Sequence, residues 1–151
     1  MVLVSSGDDS SAGRGVAVQL SPDELKTPEP RKILIVEDEP LIAWALADMV
    51  RTLGYEVCGT VASEAAAVEE AHRLLPDAIL MDFRLAGGGS GLGAARRIRE
   101  MHDMPIVFCT AYAEETGLRN DMLSLSSSDL IAKPVSRATL QRALEKALSR
   151  S

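Results

Sequence analysis

Aromatic side chains are scarce in this chain of 151 residues, where they make up 3% of the sequence against 46% for all hydrophobic residues. The length suits one domain with a substantial core, which aliphatic side chains and alanine have to fill. Basic residues are scarce as well: the chain has 16 lysines and arginines but 22 aspartates and glutamates, which gives a net charge of -6. Without a basic excess the chain lacks the electrostatic footprint of a nucleic-acid-binding protein, so we expect no nucleic-acid partner.

Cysteines and long apolar segments are also few. The two cysteines, Cys58 and Cys109, both lie in apolar runs typical of strands. This placement predicts two buried thiols in a reducing compartment, with a disulfide between them as the less favoured alternative. No apolar run approaches the roughly 18 residues of a membrane-spanning helix, and the N-terminus lacks the basic and apolar regions of a signal peptide. These absences predict a cytoplasmic protein with no membrane partner.

The first 31 residues differ in composition from the rest. Residues 5–15 are rich in serine, glycine and aspartate, and three prolines follow before residue 31. Such a composition is typical of a flexible segment. We therefore predict a flexible leader over residues 1–31, with a short turn near residues 21–24, and one folded domain over residues 32–151. A docking arm that folds against the domain surface is the alternative.

From residue 32 onward, strand and helix patterns alternate. Residues 32–36 (KILIV) form a continuous apolar run rich in β-branched side chains, as expected of a strand buried on both faces. Similar strand patterns follow at residues 55–61, 77–81, 105–109 and 130–132. Helix patterns lie after the strands, at residues 40–53, 63–74, 91–101, 113–123 and from 136 onward. Five such strand–helix units predict an α/β fold with a doubly wound parallel sheet.

Polar side chains stand where the predicted strands end. They are Glu37, Asp38, Asp82, Thr110 and Lys133. In a parallel α/β sheet, residues at the carboxyl ends of the strands converge on one crevice, however far apart they lie in the sequence. Three carboxylates, a hydroxyl and an ammonium in one crevice can hold Mg²⁺ and a phosphoryl group. The sequence therefore predicts a site for phosphoryl chemistry at this edge of the sheet.

Four short segments stand at these strand ends, residues 36–40 (VEDEP), 81–82 (MD), 109–111 (CTA) and 132–135 (AKPV). In this order and at these places, they make residues 32–149 resemble the receiver domain of response regulators in two-component signalling. The resemblance implies the flavodoxin-like fold of that family, with five parallel strands in the order 2-1-3-4-5. It also implies a cis peptide bond between Lys133 and Pro134.

The resemblance implies a phosphoryl acceptor and a metal site. Asp82 would attack the phosphohistidine of a sensor histidine kinase or a phosphotransfer protein and become an aspartyl phosphate. Glu37, Asp38 and Asp82 would bind Mg²⁺ together with the backbone carbonyl of Arg84, because Mg²⁺ prefers oxygen ligands. Three neighbouring carboxylates would also repel one another without a cation, which is a separate argument for a metal.

The resemblance further implies groups that bind the phosphoryl oxygens, namely the Lys133 ammonium, the Thr110 hydroxyl and the backbone amide of Ala111. Placed cations and donors supply most of the catalysis in phosphoryl transfer. Phosphorylation would bias a two-state equilibrium through Thr110 and Lys133. The surface expected to move, and to meet a downstream protein, comprises the fourth helix, the fifth strand and the fifth helix.

The chain departs from the family pattern at several positions. Receivers usually carry an aromatic residue three positions before the lysine, where this chain has Leu130, so the aromatic part of the switch is missing. Arg84 and Tyr112 are bulky, and their positions help to set the rate of autodephosphorylation in receivers. Residues 85–91 replace the usual sequence after the acceptor strand with a glycine-rich loop, which should be mobile.

These features favour a stand-alone receiver that accepts a phosphoryl group on Asp82 in a Mg²⁺-dependent reaction. It would signal by protein contact or act as a phosphate sink, without being a turnover enzyme. A degenerate receiver that binds proteins independently of phosphorylation is the alternative, favoured by Leu130 and the altered loop. A phosphohydrolase with an aspartyl-phosphate intermediate is disfavoured, because Arg84 occupies the place of the second aspartate that such enzymes need.

Three further features are interpreted as structural. Trp44, on the first predicted helix, is expected to be partly buried by packing. His72 and His102 lie near predicted helix ends and show no spacing typical of a metal-binding pair. The arginines of residues 96–99 are expected to form a solvated helix face.

Overall fold

The computed structural model describes residues 2–5, 17–20, 29–111 and 113–149. Its strands are β1 (Val2–Ser5), β2 (Ala17–Leu20), β3 (Lys32–Val36), β4 (Glu56–Val61), β5 (Ala78–Asp82), β6 (Ile106–Thr110) and β7 (Ser128–Ala132). Its helices are α1 (Pro40–Thr52), α2 (Glu64–Leu74), α3 (Gly91–Arg99), α4 (Thr116–Leu123) and α5 (Arg137–Ser149). The five strand–helix units that the sequence pattern predicts after residue 31 are therefore present.

The strands β3 to β7 form one parallel sheet in the order β4-β3-β5-β6-β7. Counted from β3, this is the order 2-1-3-4-5, so the predicted fold class is confirmed. The central strands are buried, with almost no exposed surface at residues 33–36 and 106–110. Helices on both faces exclude water from the sheet, which explains why these strands are continuous apolar runs instead of alternating ones.

The core lies on both faces of the sheet. On one face, α1 and α5 pack against the strands, and on the other face α2, α3 and α4 do so. Aliphatic residues and alanine fill most of this volume, and Phe108 is an aromatic exception among the fully buried side chains.

Cys58 is half-buried and Cys109 is buried, both as free thiols. Burial raises the pKa of the Cys109 thiol to about 12, so this thiol stays protonated at neutral pH.

Helix ends follow from local hydrogen bonds. Ser63 Oγ accepts from the amide of Ala66 at 3.2 Å, and Ser136 Oγ accepts from the amide of Thr139 at 3.1 Å, so a serine side chain caps each of these helices. The helix α4 begins at Thr116 instead of residue 113, and no side chain caps its first turn. Among the described helices, none is long and apolar enough to cross a membrane. Even α1 and α5 have only 13 residues each, against about 20 needed.

The N-terminal segment contains two strands that its composition did not predict. The strands β1 and β2 pair antiparallel, with Val2 opposite Leu20 and Val4 opposite Val18. The valines at positions 2, 4 and 18 have high strand propensity, which explains this pairing within the leader that is predicted to be flexible. The predicted turn at residues 21–24 lies outside the described residues, and the division into leader and domain stays a prediction.

The C-terminal ends of α2 and α3 lie side by side. His72, in the last turn of α2, places its Nδ1 atom 3.1 Å from Nε2 of His102, which follows α3. The sequence pattern gave no indication of this contact, and the absence of a metal-binding spacing does not bear on it. The two residues are 30 positions apart, so only the packing of α2 beside α3 brings them together.

Candidate functional site

The carboxyl ends of β3, β5, β6 and β7 form one edge of the sheet, and the predicted polar residues stand there. Glu37 directly follows β3, Asp82 ends β5, Thr110 ends β6, and Lys133 directly follows β7. Because these strands pair in parallel, their ends meet at the same edge. The structure therefore brings together residues that span almost a hundred positions of the sequence.

Lys133 joins two of the acids. Its Nζ atom lies 2.8 Å from Glu37 Oε1 and 3.1 Å from Asp82 Oδ1. Burial disfavours the charged ammonium, but the hydrogen bonds to Glu37 and Asp82 outweigh it and raise the pKa of Lys133 above its ordinary value. The Lys133 amide donates to the Thr110 carbonyl at 2.9 Å, and the Lys133–Pro134 peptide bond is cis, as the resemblance implied. A fixed cation therefore lies against Asp82.

Glu37, Asp38 and Asp82 form an acidic cluster, in which each offers a carboxylate oxygen within 4.8 Å of the others. In the part of the chain that the structure describes, no other group of three such residues is found. The side chain of Glu37 is fixed, because its Oε2 atom accepts from the Glu39 amide at 3.1 Å. Three carboxylates and the one ammonium of Lys133 leave an excess of two negative charges. Oxygen ligands with excess negative charge suit Mg²⁺.

The loop after β5 is anchored at both ends. The Gly91 amide donates to the Phe83 carbonyl at 2.7 Å, which closes the base of the loop, and the Ala86 amide donates to the Ala62 carbonyl at 3.1 Å. At the tip, the glycines of residues 87–88 have positive φ and open space around them. The glycine-rich composition permits this turn at the tip, while backbone hydrogen bonds hold its sides.

Two residues that the sequence analysis did not single out support this loop. Glu64, in the first turn of α2, accepts from the Ser90 amide at 3.1 Å and lies 3.3 Å from Arg97. Gly91 passes so close to β5 that a Cβ atom there would lie 1.9 Å from the carbonyl oxygen of Asp82. An acid in a first helical turn and a glycine at a helix start are both common. The sequence around Glu64 and Gly91 therefore does not indicate these contacts, because they depend on how the helices pack.

The remaining predicted residues that the structure describes differ in their burial. Thr110 is fully buried, and Ala111 is exposed in the turn that follows it. Arg84 is exposed in the loop after β5. Leu130 is half-buried in β7 against the apolar cluster of α2, α3 and α4. Tyr112 lies outside the described residues. The roles of these five residues at a phosphoryl group stay predictions.

An exposed apolar patch borders the crevice. Leu41 and Trp44, here called the α1 patch, are 83% and 68% exposed, so the prediction that Trp44 is partly buried by packing was wrong. The inward face of α1 consists of Ala43, Leu46, Ala47 and Val50. An apolar groove of about 500 Å³ runs between α1 and residues 133–135. Leu41 and Lys133 both line this groove, and Lys133 also contacts the acidic cluster, so the patch is continuous with the crevice through Leu41.

Comparison with known proteins agrees with this geometry. The family model described as response regulator receiver domain matches residues 33–145. The phyllosphere-induced regulator PhyR of Methylorubrum extorquens is 38% identical over 128 residues, which are 83% of this chain and 46% of that protein. This chain spans about half the length of the curated relatives that it matches.

Two solved structures have the same fold as this chain. The receiver domain of PhyR from Erythrobacter litoralis matches with a TM-score of 0.71 and 36% identity, over 80% of this chain and 92% of that one. The receiver domain of the sensor histidine kinase PA1611 from Pseudomonas aeruginosa matches with a TM-score of 0.72 and 40% identity, over 80% of this chain and 98% of that one. The latter holds a magnesium ion in its active-site cleft.

Proposed function

Since this chain belongs to the response-regulator receiver family, we propose that it accepts a phosphoryl group on Asp82 from the phosphohistidine of a sensor histidine kinase or a phosphotransfer protein. One observation carries the proposal: Lys133 Nζ lies 3.1 Å from Asp82 Oδ1 in a crevice shared with the acidic cluster. A nucleophilic carboxylate, a cation for the phosphoryl oxygens and ligands for a metal thus stand in one place.

The two oxygens of Asp82 have different surroundings. Oδ1 accepts hydrogen bonds from Lys133 at 3.1 Å and from the Phe83 amide at 2.8 Å. These bonds orient the carboxylate and leave Oδ2 to attack phosphorus. The new P–O bond forms as the P–N bond to the donor imidazole breaks, and the electron pair of the broken bond stays on that imidazole.

The charge of the transferring group has to be matched in the crevice. The Lys133 ammonium, the Thr110 hydroxyl and the Ala111 amide are proposed to bind the phosphoryl oxygens. The acidic cluster and the backbone carbonyl of Arg84 are proposed to hold Mg²⁺, which when bound supplies positive charge against the repulsion between the carboxylates and the phosphoryl group. These separate roles, phosphoryl binding for Lys133 and metal binding for the acids, explain why one lysine and three acids share the site.

Phosphorylation changes the charge that Lys133 meets. Its ammonium is divided between Glu37 and Asp82 in the structure, and a phosphoryl group on Asp82 adds negative charge that draws it away from Glu37. We propose that this change reaches a downstream protein through the surface of α4, β7 and α5, or that the domain serves as a phosphate sink. In both cases the chain is modified once per event and does not turn over a substrate.

A binding module that works independently of phosphorylation is the second candidate. Leu130 favours it, because this aliphatic side chain packs in the apolar cluster beneath the proposed output surface and offers no aromatic ring for a switch. This candidate predicts that a partner binds with the same affinity whether or not Asp82 carries a phosphoryl group.

Treatment with a small-molecule phosphodonor such as phosphoramidate tests the proposal. We expect intact mass spectrometry to show one added phosphoryl group per chain with Mg²⁺ and much less with a chelator, because the acidic cluster then lacks its cation. Peptide mapping should place the modification on the segment that contains Asp82. No uptake under either condition would contradict the proposal and favour the binding module.

A donor protein has to cover the mouth of the crevice, and Leu41 of the α1 patch lines the groove that leads there. We propose that the domain carrying the phosphohistidine packs on this patch, because the patch is apolar, exposed and continuous with the crevice. Replacing Trp44 with alanine should weaken this contact by about 2 kcal/mol or more, the size typical of a buried aromatic anchor. Transfer from a phosphorylated histidine kinase at limiting concentration should then slow roughly thirtyfold.

Uptake from the small phosphodonor separates docking from chemistry in this variant. It should be unchanged in Trp44→Ala, because the side chain lies outside the crevice. Met101→Ala is the matched control, since Met101 is also exposed, at 64%, but follows α3. If Trp44→Ala and the wild type receive phosphate from the kinase at equal rates, the donor does not use this surface.

A further inference from the structure

We propose that His72 and His102 form a binding site for a divalent transition-metal ion of the zinc, nickel and copper class. They are the two histidines of the chain, and they come from different elements, α2 and the segment after α3. That segment leads into the amino end of β6, so the pair lies at the edge of the sheet opposite the phosphoacceptor crevice. Imidazole nitrogens are frequent ligands of these metals.

The separation of the two ring nitrogens suits a shared ion. His72 Nδ1 and His102 Nε2 are 3.1 Å apart, with the ring centroids 5.3 Å apart and the ring planes tilted by 43°. Two nitrogens that each bind zinc at about 2.0–2.1 Å in a tetrahedral shell lie roughly 3.3 Å from each other. A change of a few tenths of an ångström therefore converts the pair into two ligands of one ion. Without an ion, the same distance is an N–H···N hydrogen bond.

Hydrogen bonds hold the second histidine in place before any metal binds. The His102 amide donates to the Ile98 carbonyl at 2.9 Å. Its carbonyl accepts from Arg99 Nη1 at 3.0 Å, and the same Nη1 donates to the Met104 carbonyl at 2.8 Å. Arg99 was predicted to be solvated, but it instead fixes the segment after α3. The helix α2 fixes the backbone of His72, so binding of an ion would cost little further backbone entropy.

Acidic residues outnumber basic ones around the pair, with Glu69, Glu70, Glu100 and Asp103 against Arg73 and Arg99. Arg73, beside the first histidine, is paired with Glu70 at 2.6 Å. Asp103, beside the second histidine, opposes the charge of Arg99. Among the described residues, no cluster of three or more ligand-bearing side chains includes this pair, so water has to complete the coordination shell. With two protein ligands we expect an exchangeable ion, unlike the closed four-ligand shell of a structural zinc site.

Metal binding would connect α2 to α3 at their C-terminal ends. Glu64, in the first turn of α2, already connects the two helices, because it contacts Ser90 just before α3 and Arg97 within α3. An ion that binds only the folded state raises its stability by mass action.

A zinc titration of the full chain without a histidine tag tests the proposal, with Mg²⁺ in excess to occupy the acidic cluster. Calorimetry measures the affinity, and NMR of the histidine side chains identifies the ligands. We expect one equivalent of zinc to shift the signals of both histidines. Either His72→Ala or His102→Ala should weaken binding by at least about tenfold, the loss that follows removal of even an outer-shell partner.

Two variants separate this site from other zinc ligands and from misfolding. Asp82→Asn, which alters the crevice, should leave zinc binding to the histidines unchanged. His72 is exposed, so His72→Ala should unfold like the wild type in the absence of zinc and lose only the stabilisation that zinc provides. Zinc affinity that survives both histidine substitutions, or unshifted histidine signals in excess zinc, would show that the pair is a hydrogen bond only.

Discussion

Replacing Asp82 with asparagine is expected to abolish phosphoryl uptake, both from a small phosphodonor and from a phosphohistidine protein. An amide has no anionic oxygen to attack phosphorus, and the substitution weakens the contact that places Lys133 at the acceptor. The domain should stay folded, because Lys133 keeps its 2.8 Å contact with Glu37. Intact mass after treatment with phosphodonor and Mg²⁺ measures the effect, with thermal unfolding as the test of folding.

Asp129→Asn is the matched control for this substitution. Asp129 is another strand aspartate paired with a lysine, Lys146 at 3.3 Å, but that lysine is exposed and the pair lies outside the crevice. Its removal should leave uptake unchanged. Asp82→Asn should also reduce repulsion in the acidic cluster, so Mg²⁺ should stabilise this variant less than the wild type. A phosphoryl gain that persists in Asp82→Asn would place the acceptor elsewhere.

Replacing Gly91 with alanine is expected to have the largest effect on stability. A Cβ atom there would lie 1.9 Å from the Asp82 carbonyl oxygen and 2.9 Å from Met81 Cγ. Because the nearest atoms belong to the backbone of Asp82 and not to a flexible side chain, the clash can be relieved only if α3 or the end of β5 moves. We expect a loss of at least about 2 kcal/mol in the free energy of unfolding, the range of overpacked cores. Urea denaturation measures it.

The same substitution should slow phosphoryl uptake, because it moves the backbone of the acceptor. A displacement of about 1 Å can cost roughly a hundredfold in rate. Gly117→Ala is the matched control: Gly117 lies in α4, and a Cβ atom there meets nothing within 4 Å. That variant should be as stable as the wild type or up to about 1 kcal/mol more stable, since alanine favours helix. Equal stability of both variants would contradict the steric argument.

The alternation of strands and helices could be predicted from the sequence, because it depends on patterns within short segments, whereas the order of the strands was implied by the family resemblance. The apolar runs at β3 and β6 could fit only strands covered on both faces. Glu37, Asp82 and Lys133 each follow or end such a run, so parallel pairing was enough to expect them at one edge. Their proximity is observed in the structure, while the phosphoryl chemistry assigned to them rests on the proposal above.

The boundaries and exposed faces were less predictable. Trp44 has the hydrophobicity of a core residue, but it lies outside the inward face of α1. The hydrophobicity of one side chain does not tell which face of a helix packs against the sheet. The strands β1 and β2 lie at either end of a polar stretch whose composition dominated the prediction. For Trp44 the local property was outweighed by which face of α1 packs against the sheet.

The sequence by itself determined the alternation of strands and helices, and with it the edge of the sheet at which the acids, Thr110 and Lys133 stand. The tertiary structure alone decided the contacts between segments that are distant in the sequence and whose local patterns do not indicate the contact. These include the 2.8 and 3.1 Å contacts of Lys133, the close passage of Gly91 and the pairing of His72 with His102. The physical reason is that strand and helix patterns arise from neighbours in the chain, whereas these distances depend on how the helices pack across the sheet.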